Sequence, residues 1–371
     1  MKYNIGMKKK EINLFAAGKE GADGQGGRGN KSKSKKNFDK KAFFKRFALS
    51  ALSLAVLAFS FGYALKNIDY ADKKLTGGTD YKCIVNLWHV DSFEGGTGSR
   101  AEFLLGRAAA FEKSNAGVFV MVTPMTAENA NEKFAAGERP DMISYGYGVE
   151  ISGYSAIKSD KKCVYGQVDG DVYALPWCRG GYAVISNEPL PEDKTLENAV
   201  VSKGAYTQPY AALALGGYTL KNYEEKAPLD AYYAFVSGNA DILVGTQRDV
   251  NRLNVRQMEA VITPLSEYSD LYQYISITAA SAEKKAYAEM FIEFLLSEEA
   301  QKKVSNLGMF SPYYRLSYDL SGLEEMQTAI QKSASYPVFT PLSVFGEFSE
   351  NALLAAKGDE AALKKLKNLL I

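Results

Sequence analysis

The chain has 371 residues, a length that suits about two domains, with 44 Lys/Arg against 43 Asp/Glu and a formal charge of +1. That balance hides a division: residues 1–46 hold 14 basic and four acidic residues, leaving 30 basic against 39 acidic in the rest. An acidic body argues against a nucleic-acid partner, since phosphate neutralisation calls for clustered Lys and Arg, and three scattered cysteines make neither a disulfide framework nor a metal spacing.

The first 46 residues read as a basic, disordered cytoplasmic tail, Gly/Lys/Ser-rich over 16–36. Phe47–Leu65, "FALSALSLAVLAFSFGYAL", is apolar or small throughout and about one hydrocarbon thickness long. With "KKNFDKKAFFKR" directly before it, the positive-inside rule predicts one transmembrane helix, with every residue after Leu65 exported. A cleaved signal ending near Gly62-Tyr63-Ala64 is the alternative. Residues 66–80 read as a polar linker.

From Tyr81 strands and helices alternate. Ile84–Val90 is a strand; Ser99 and Glu102 spell a capping box; Leu104, Ala108 and Phe111 share a helix face; Val118–Val122 is the next strand. A second helix over Ala127–Ala136 and a strand over Asp141–Ser144 complete an α/β opening. "CVYGQVDGDVYALPW" is a hairpin turning at Asp169-Gly170, with Cys163 set opposite Pro176 and the thiols unpaired. Residues 193–265 mix helix and strand. Ser281–Leu307 is two helices broken near Ser297, and Asn351–Leu370 holds two more short ones.

Three segments carry a resemblance. "GQVDGDVYALPWCRGGYAVISN", "FVSGNADILVGT" and "AEMFIEFLLSEEAQKKVSNLGMFSP" resemble, in order and spacing, segments of the extracellular solute-binding proteins of family 1, largely sugar receptors of ABC importers. The similarity runs from about Tyr81 to the C-terminus. Two departures stand out: a short second lobe, and no lipobox cysteine. The resemblance implies an α/β, two-lobed type II periplasmic-binding-protein fold with discontinuous lobes, here preceded by one transmembrane helix. Lobe one is expected at about 81–179 plus 272–371, and lobe two at about 180–271. The chain should cross between lobes at the 163–177 hairpin and around Tyr272–Thr278. The implied function is a membrane-tethered receptor that closes on a small polar solute, a sugar first, and hands it to ABC permease subunits. A sensor domain and a secreted glycoside hydrolase are the alternatives.

In open α/β sheets ligands bind beyond the carboxyl ends of strands. Trp88, His89, Asp91 and Glu94 in the first loop, with Ser144, Tyr145 and Tyr147 after the third strand, fall there. So do Trp177 and Arg179 at the first crossing, Thr246, Gln247 and Arg248 in "GTQRD", and Tyr274 at the second. The tryptophans offer flat faces for sugar rings. Arg248 is expected in the cleft and Asp249 in an ion pair. Other chemistries fit less well. Gly96–Ala101 matches GxGxxA, but it begins too far from its strand and no acid follows the second strand. Asp91 and Glu94 could form an acid–base pair, but the sequence gives them no unequal environments. One histidine without GxSxG gives little support for a Ser-His triad. A ferric site using His89 and Glu94 would want tyrosines where Thr246 and Gln247 stand. No catalytic residue, metal or cofactor is expected.

Overall fold

The computed structural model describes residues 81–370, together with Ser53, Leu54, Val56, Ala58 and Ser60. The chain divides into units 1–77 and 78–371, and every strand and helix named here belongs to the second. The expected tail, membrane span and linker lie outside the described residues, apart from those five positions, which are helical and exposed. Among the described residues no helix is long and apolar enough to cross a membrane.

Two five-stranded sheets share one plan. The first contains β1 (Cys83–Val90), β2 (Val118–Met125), β3 (Met142–Tyr145), β6 (Leu175–Arg179) and β14 (Tyr272–Ile277), in the order β2-β1-β3-β14-β6. Between β3 and β6 lies a small ribbon of β4 (Gln167–Val168) and β5 (Asp171–Val172). The second sheet contains β7 (Tyr182–Ser186), β9 (Ala199–Ser202), β11 (Tyr223–Lys226), β12 (Ile242–Thr246) and β13 (Val261–Pro264), in the order β11-β9-β12-β7-β13. β8 (Thr195–Leu196) and β10 (Thr219–Leu220) pair beside it. In each sheet three parallel strands meet one antiparallel strand contributed across a crossing, β14 in the first and β7 in the second.

The local signals account for much of this. β1 alternates buried and less buried positions through Trp88, as a sheet covered more heavily on one face should. The Ser99 hydroxyl accepts from the Glu102 amide (3.2 Å) and starts α1 (Arg100–Ser114). Thr126 does the same for α2 (Ala127–Ala135). The Asp169-Gly170 turn has φ of 52° and 90°, the two positive angles of a type I′ turn. β6 holds Pro176 in mid-strand, which an edge strand tolerates.

The hairpin is shorter than expected. Its ladder covers only Gln167–Val172, and Leu175–Arg179 leaves it to pair with β14. Pro176 therefore faces Tyr274, not Cys163, and Trp177 is the extra residue where that register slips. Cys83, Cys163 and Cys178 are free thiols.

The crossings also differ from expectation. The first is Gly180-Gly181, between β6 and β7, and the second is residues 265–271, between β13 and β14. A third comes after α6 (Ala282–Leu295), the short α7 (Glu298–Lys302) and a 3-10 turn, where Gly308 takes φ 62° and Phe310 bridges Arg179. Beyond it, α8 (Ser321–Ala329) packs on β13 and on α5 (Gln247–Val255). Then α9 (Leu342–Ala356) and α10 (Glu360–Asn368) pack on α3 (Pro209–Leu215). The remaining helix, α4 (Pro228–Val236), lies on β9 and β12. The C-terminal helices α8, α9 and α10 thus pack mainly on elements of the second sheet, and Leu342 at the start of α9 also meets Glu150 after β3. Met326, Ile330 and Phe310 share a buried cluster with Ile185 and Leu243, which fixes them there.

Candidate functional site

The loops at the carboxyl ends of both sheets meet each other. From the first sheet comes the β1–α1 loop, 91–99, and from the second the loop after β9 and the N-terminus of α5. Glu94 makes a two-armed ion pair with Arg252, one arm at 3.0 Å. Arg248 donates to the Gly96 carbonyl, and the Thr97 amide donates to the Leu307 carbonyl at 2.7 Å. Phe93, Glu94, Ser202, Thr207, Thr246 and Leu271 then enclose a cavity of about 20 Å³, room for roughly one water. The cleft is shut, and admitting a solute requires the two loop sets to part.

Helix α5 carries the second side of this contact. Thr246 and Asp249 form a reciprocal capping box. Asp249 pairs with Arg252 (2.9 Å) instead of Arg248. Burial pushes the Asp249 carboxyl up to about 6, against the pull of the Thr246 amide and of Arg252. Arg252 thus joins a rim carboxylate, Glu94, to a core carboxylate, and the rim contact is a charge-assisted one.

The chain's one histidine lies beneath the first loop. His89 Nδ1 is 3.0 Å from Ser144 Oγ, and Nε2 is 3.1 Å from Asp91 Oδ1. The order Ser-His-Asp resembles a hydrolytic triad, but the hydrogen bonds argue otherwise. Ser144 Oγ already accepts from Trp177 Nε1 (2.9 Å) and from Gln273 Nε2 (3.1 Å), which also donates to the Val90 carbonyl. The serine proton is left for His89 Nδ1, so the Nε2–H donates to Asp91. Ser144 is fully buried with both acceptor positions filled, so no substrate carbon reaches its oxygen. Arg100 holds Asp91 (2.6 Å) and the Phe93 carbonyl. Partial burial alone would raise the Asp91 carboxyl; the His89 hydrogen bond and Arg100 outweigh it and hold it at about 2. The network serves to fix the loop that carries Glu94.

The other expected contacts have different partners here. Trp88 is half-buried, edge-on to Phe134 at 5.5 Å with Lys133 over its ring. Trp177 is fully buried and stacked on Phe103 at 5.4 Å, 5° from parallel. Tyr145 bonds Ser276, Tyr147 bonds Ser335, and the Tyr274 ring packs against both tyrosines. Arg179 donates to Tyr272 and to the Ile330 carbonyl. Gln247 accepts from the Gly181 amide at 3.0 Å and so clamps the first crossing. Of the thirteen residues, Glu94, Thr246 and Arg248 lie at the loop-to-loop contact, with Asp91 exposed beside it. Phe93, Arg252 and Leu307 were missed. A clue to Arg252 was available, since it stands four residues after Arg248 on one helix face.

No protein-family model and no curated protein sequence matches the chain. Solved structures do. The maltose/maltodextrin-binding domain MalE from Bdellovibrio bacteriovorus, bound to maltotriose, aligns over 77% of this chain and 98% of its own, at 13% identity and a TM-score of 0.50. The acarbose-complexed GacH receptor of Streptomyces glaucescens aligns over 78% and 97%, at 14% identity and a TM-score of 0.51. The sugar-binding protein MalE from Xanthomonas citri aligns over 77% and 96%, at 14% identity and a TM-score of 0.55. Residues 81–370 therefore have the mixed α/β, two-sheet fold of periplasmic sugar-binding proteins.

Proposed function

We propose that the chain is an extracellular solute receptor, without catalytic activity, that holds a sugar or oligosaccharide between its two sheets. The observation that carries this reading is the meeting of strand-end loops from two sheets of the same plan, joined by three crossings. Similarly folded proteins are described with maltotriose and acarbose. The mechanism is hinge motion. Parting the loops breaks Glu94–Arg252 and Arg248–Gly96, and a solute that touches both sides replaces them, so binding shifts the population back to the closed form. The finer parts of the proposal rest on the sequence: a tether through 47–65, an exported binding domain, and delivery to ABC permease subunits.

A thermal-shift series on the full-length chain tests the core of this. The panel holds mono- and oligosaccharides, amino acids, polyamines and ferric ion. A sugar at about a hundredfold above its Kd should stabilise the protein by about 2.7 kcal/mol, with no reducing sugar released. A shift produced only by the non-sugar ligands would remove the sugar reading, and steady release of reducing ends would make the protein a hydrolase.

A further inference from the structure

Arg248, Arg252 and Arg256 recur every fourth residue along α5 and its C-terminal cap. They line a cavity of about 360 Å³ with Tyr232 and Tyr233 of α4, and Thr97 reaches it from the first loop. The Arg252 and Arg256 guanidiniums each lie 5.3 Å from the centre of the Tyr232 ring, and Arg256 lies 5.5 Å from that of Tyr233.

The charges do not balance. Glu94 and Asp249 both serve Arg252. Arg248 has a backbone carbonyl, and among the described residues no carboxylate pairs with Arg256. Of the two acids in the neighbouring basin, Glu224 is held by Lys226 at 2.6 Å, and Asp230 is exposed and makes no ion pair with Arg256. Two buried polar atoms lack a hydrogen-bond partner: the hydroxyl of Tyr232, a residue only 2% exposed, and Arg248 Nε. Parting the cleft would also withdraw Glu94 and leave Asp249 as the one carboxylate bonded to any of the three guanidiniums. Clustered forks of N–H donors with unmet capacity suit a planar or tetrahedral oxyanion. The half-exposed faces of Tyr233 and Leu229 suit the carbon skeleton attached to it.

We propose that this pocket binds the carboxylate or phosphate group of an acidic sugar, whose ring extends towards the cleft at Thr97. The proposal rests on the sugar-receptor reading and narrows its substrate class.

Calorimetric titration of the full-length chain at low salt tests it, with D-glucuronate, D-glucose 6-phosphate, neutral D-glucose and inorganic phosphate. At least one acidic sugar should bind about tenfold or more tighter than glucose, and the two acidic probes separate carboxylate from phosphate. In Arg256→Gln the acidic-to-neutral affinity ratio should fall to about one. Tyr232→Phe should weaken the acidic sugar several-fold with little change in melting temperature. Neutral sugars binding as tightly as acidic ones, or a ratio unaltered in Arg256→Gln, would overturn the proposal and leave the sugar receptor standing. Inorganic phosphate matching the acidic sugars would reduce the pocket to a simple anion site. No binding by either acidic sugar would also overturn the proposal, and the mono- and oligosaccharides of the thermal-shift series decide the sugar-receptor reading separately.

Discussion

Trp177→Ala should destabilise the fold by about 3–5 kcal/mol, read from denaturant melts of the full-length chain. The indole is fully buried, stacks on Phe103, and gives its N–H to Ser144. Truncation opens a cavity beside β14 and takes one donor from the serine that orients His89. Trp177→Phe should cost less, because it retains most of the packing and loses only the hydrogen bond. Sugar affinity of the folded fraction should stay within about threefold of wild type, since the residue supports the loop from below. Near-normal melting with lost affinity would place Trp177 against the ligand instead.

The second large effect is at the hinge. Asp270 lies in the second crossing and accepts from the Tyr182 hydroxyl at 2.6 Å, just after the first crossing. Its other oxygen is buried without a partner. Burial pushes the carboxyl up to about 7, against the Tyr182 hydrogen bond. In the unfolded chain it ionises near its ordinary value of 3.8. Between those values only the unfolded state releases the proton. This group's contribution to stability is therefore fully present below about pH 4 and is lost as pH rises towards 7, by on the order of 4 kcal/mol. Asp249, pushed up to about 6, adds to the decline in the same direction. Asp270→Asn keeps an acceptor for Tyr182 and removes the titration. It should melt close to wild type at pH 4 and well above it at pH 8. An identical pH slope in wild type and variant would show that Asp270 is not the group responsible.

Tyrosines crowd the same hinge. Burial first, and then the Asp270 charge, push the Tyr268 and Tyr336 phenols well above their ordinary value. They remain neutral, so Asp270 is the group there that titrates in the physiological range.

The features legible in the sequence were mostly local. Ser99, Ser281 and Ser297 each accept from the amide three residues on, and each starts the expected helix. Asp169-Gly170 makes its turn because only two backbone angles must be satisfied. Strand direction alone led the β1–α1 loop to be expected as a ligand loop, and the fold sets that loop against the loops of the second sheet. The rest depends on distant pairs. The third crossing rests on Arg179 bridging Phe310, 131 positions apart, with Gly308 in a left-handed turn. No periodicity reports such a pair. The tryptophans were ambiguous for a different reason: an aromatic residue at a strand end looks the same whether it faces a cleft or a helix. Trp88 meets Phe134, and Trp177 meets Phe103. Glu94 was expected to face a ligand and Arg252 carried no expectation, and the fold places one opposite the other.

Hydrogen exchange on the full-length chain, with and without a saturating sugar from the thermal-shift series, tests the central claim most directly. If the solute is held between the sheets, amides of 91–99 and of 202–207 with 246–252 should gain protection together, at the same sugar concentration. Protection confined to one sheet's loops, or appearing only elsewhere while the sugar is bound, would contradict closure of the cleft on its ligand.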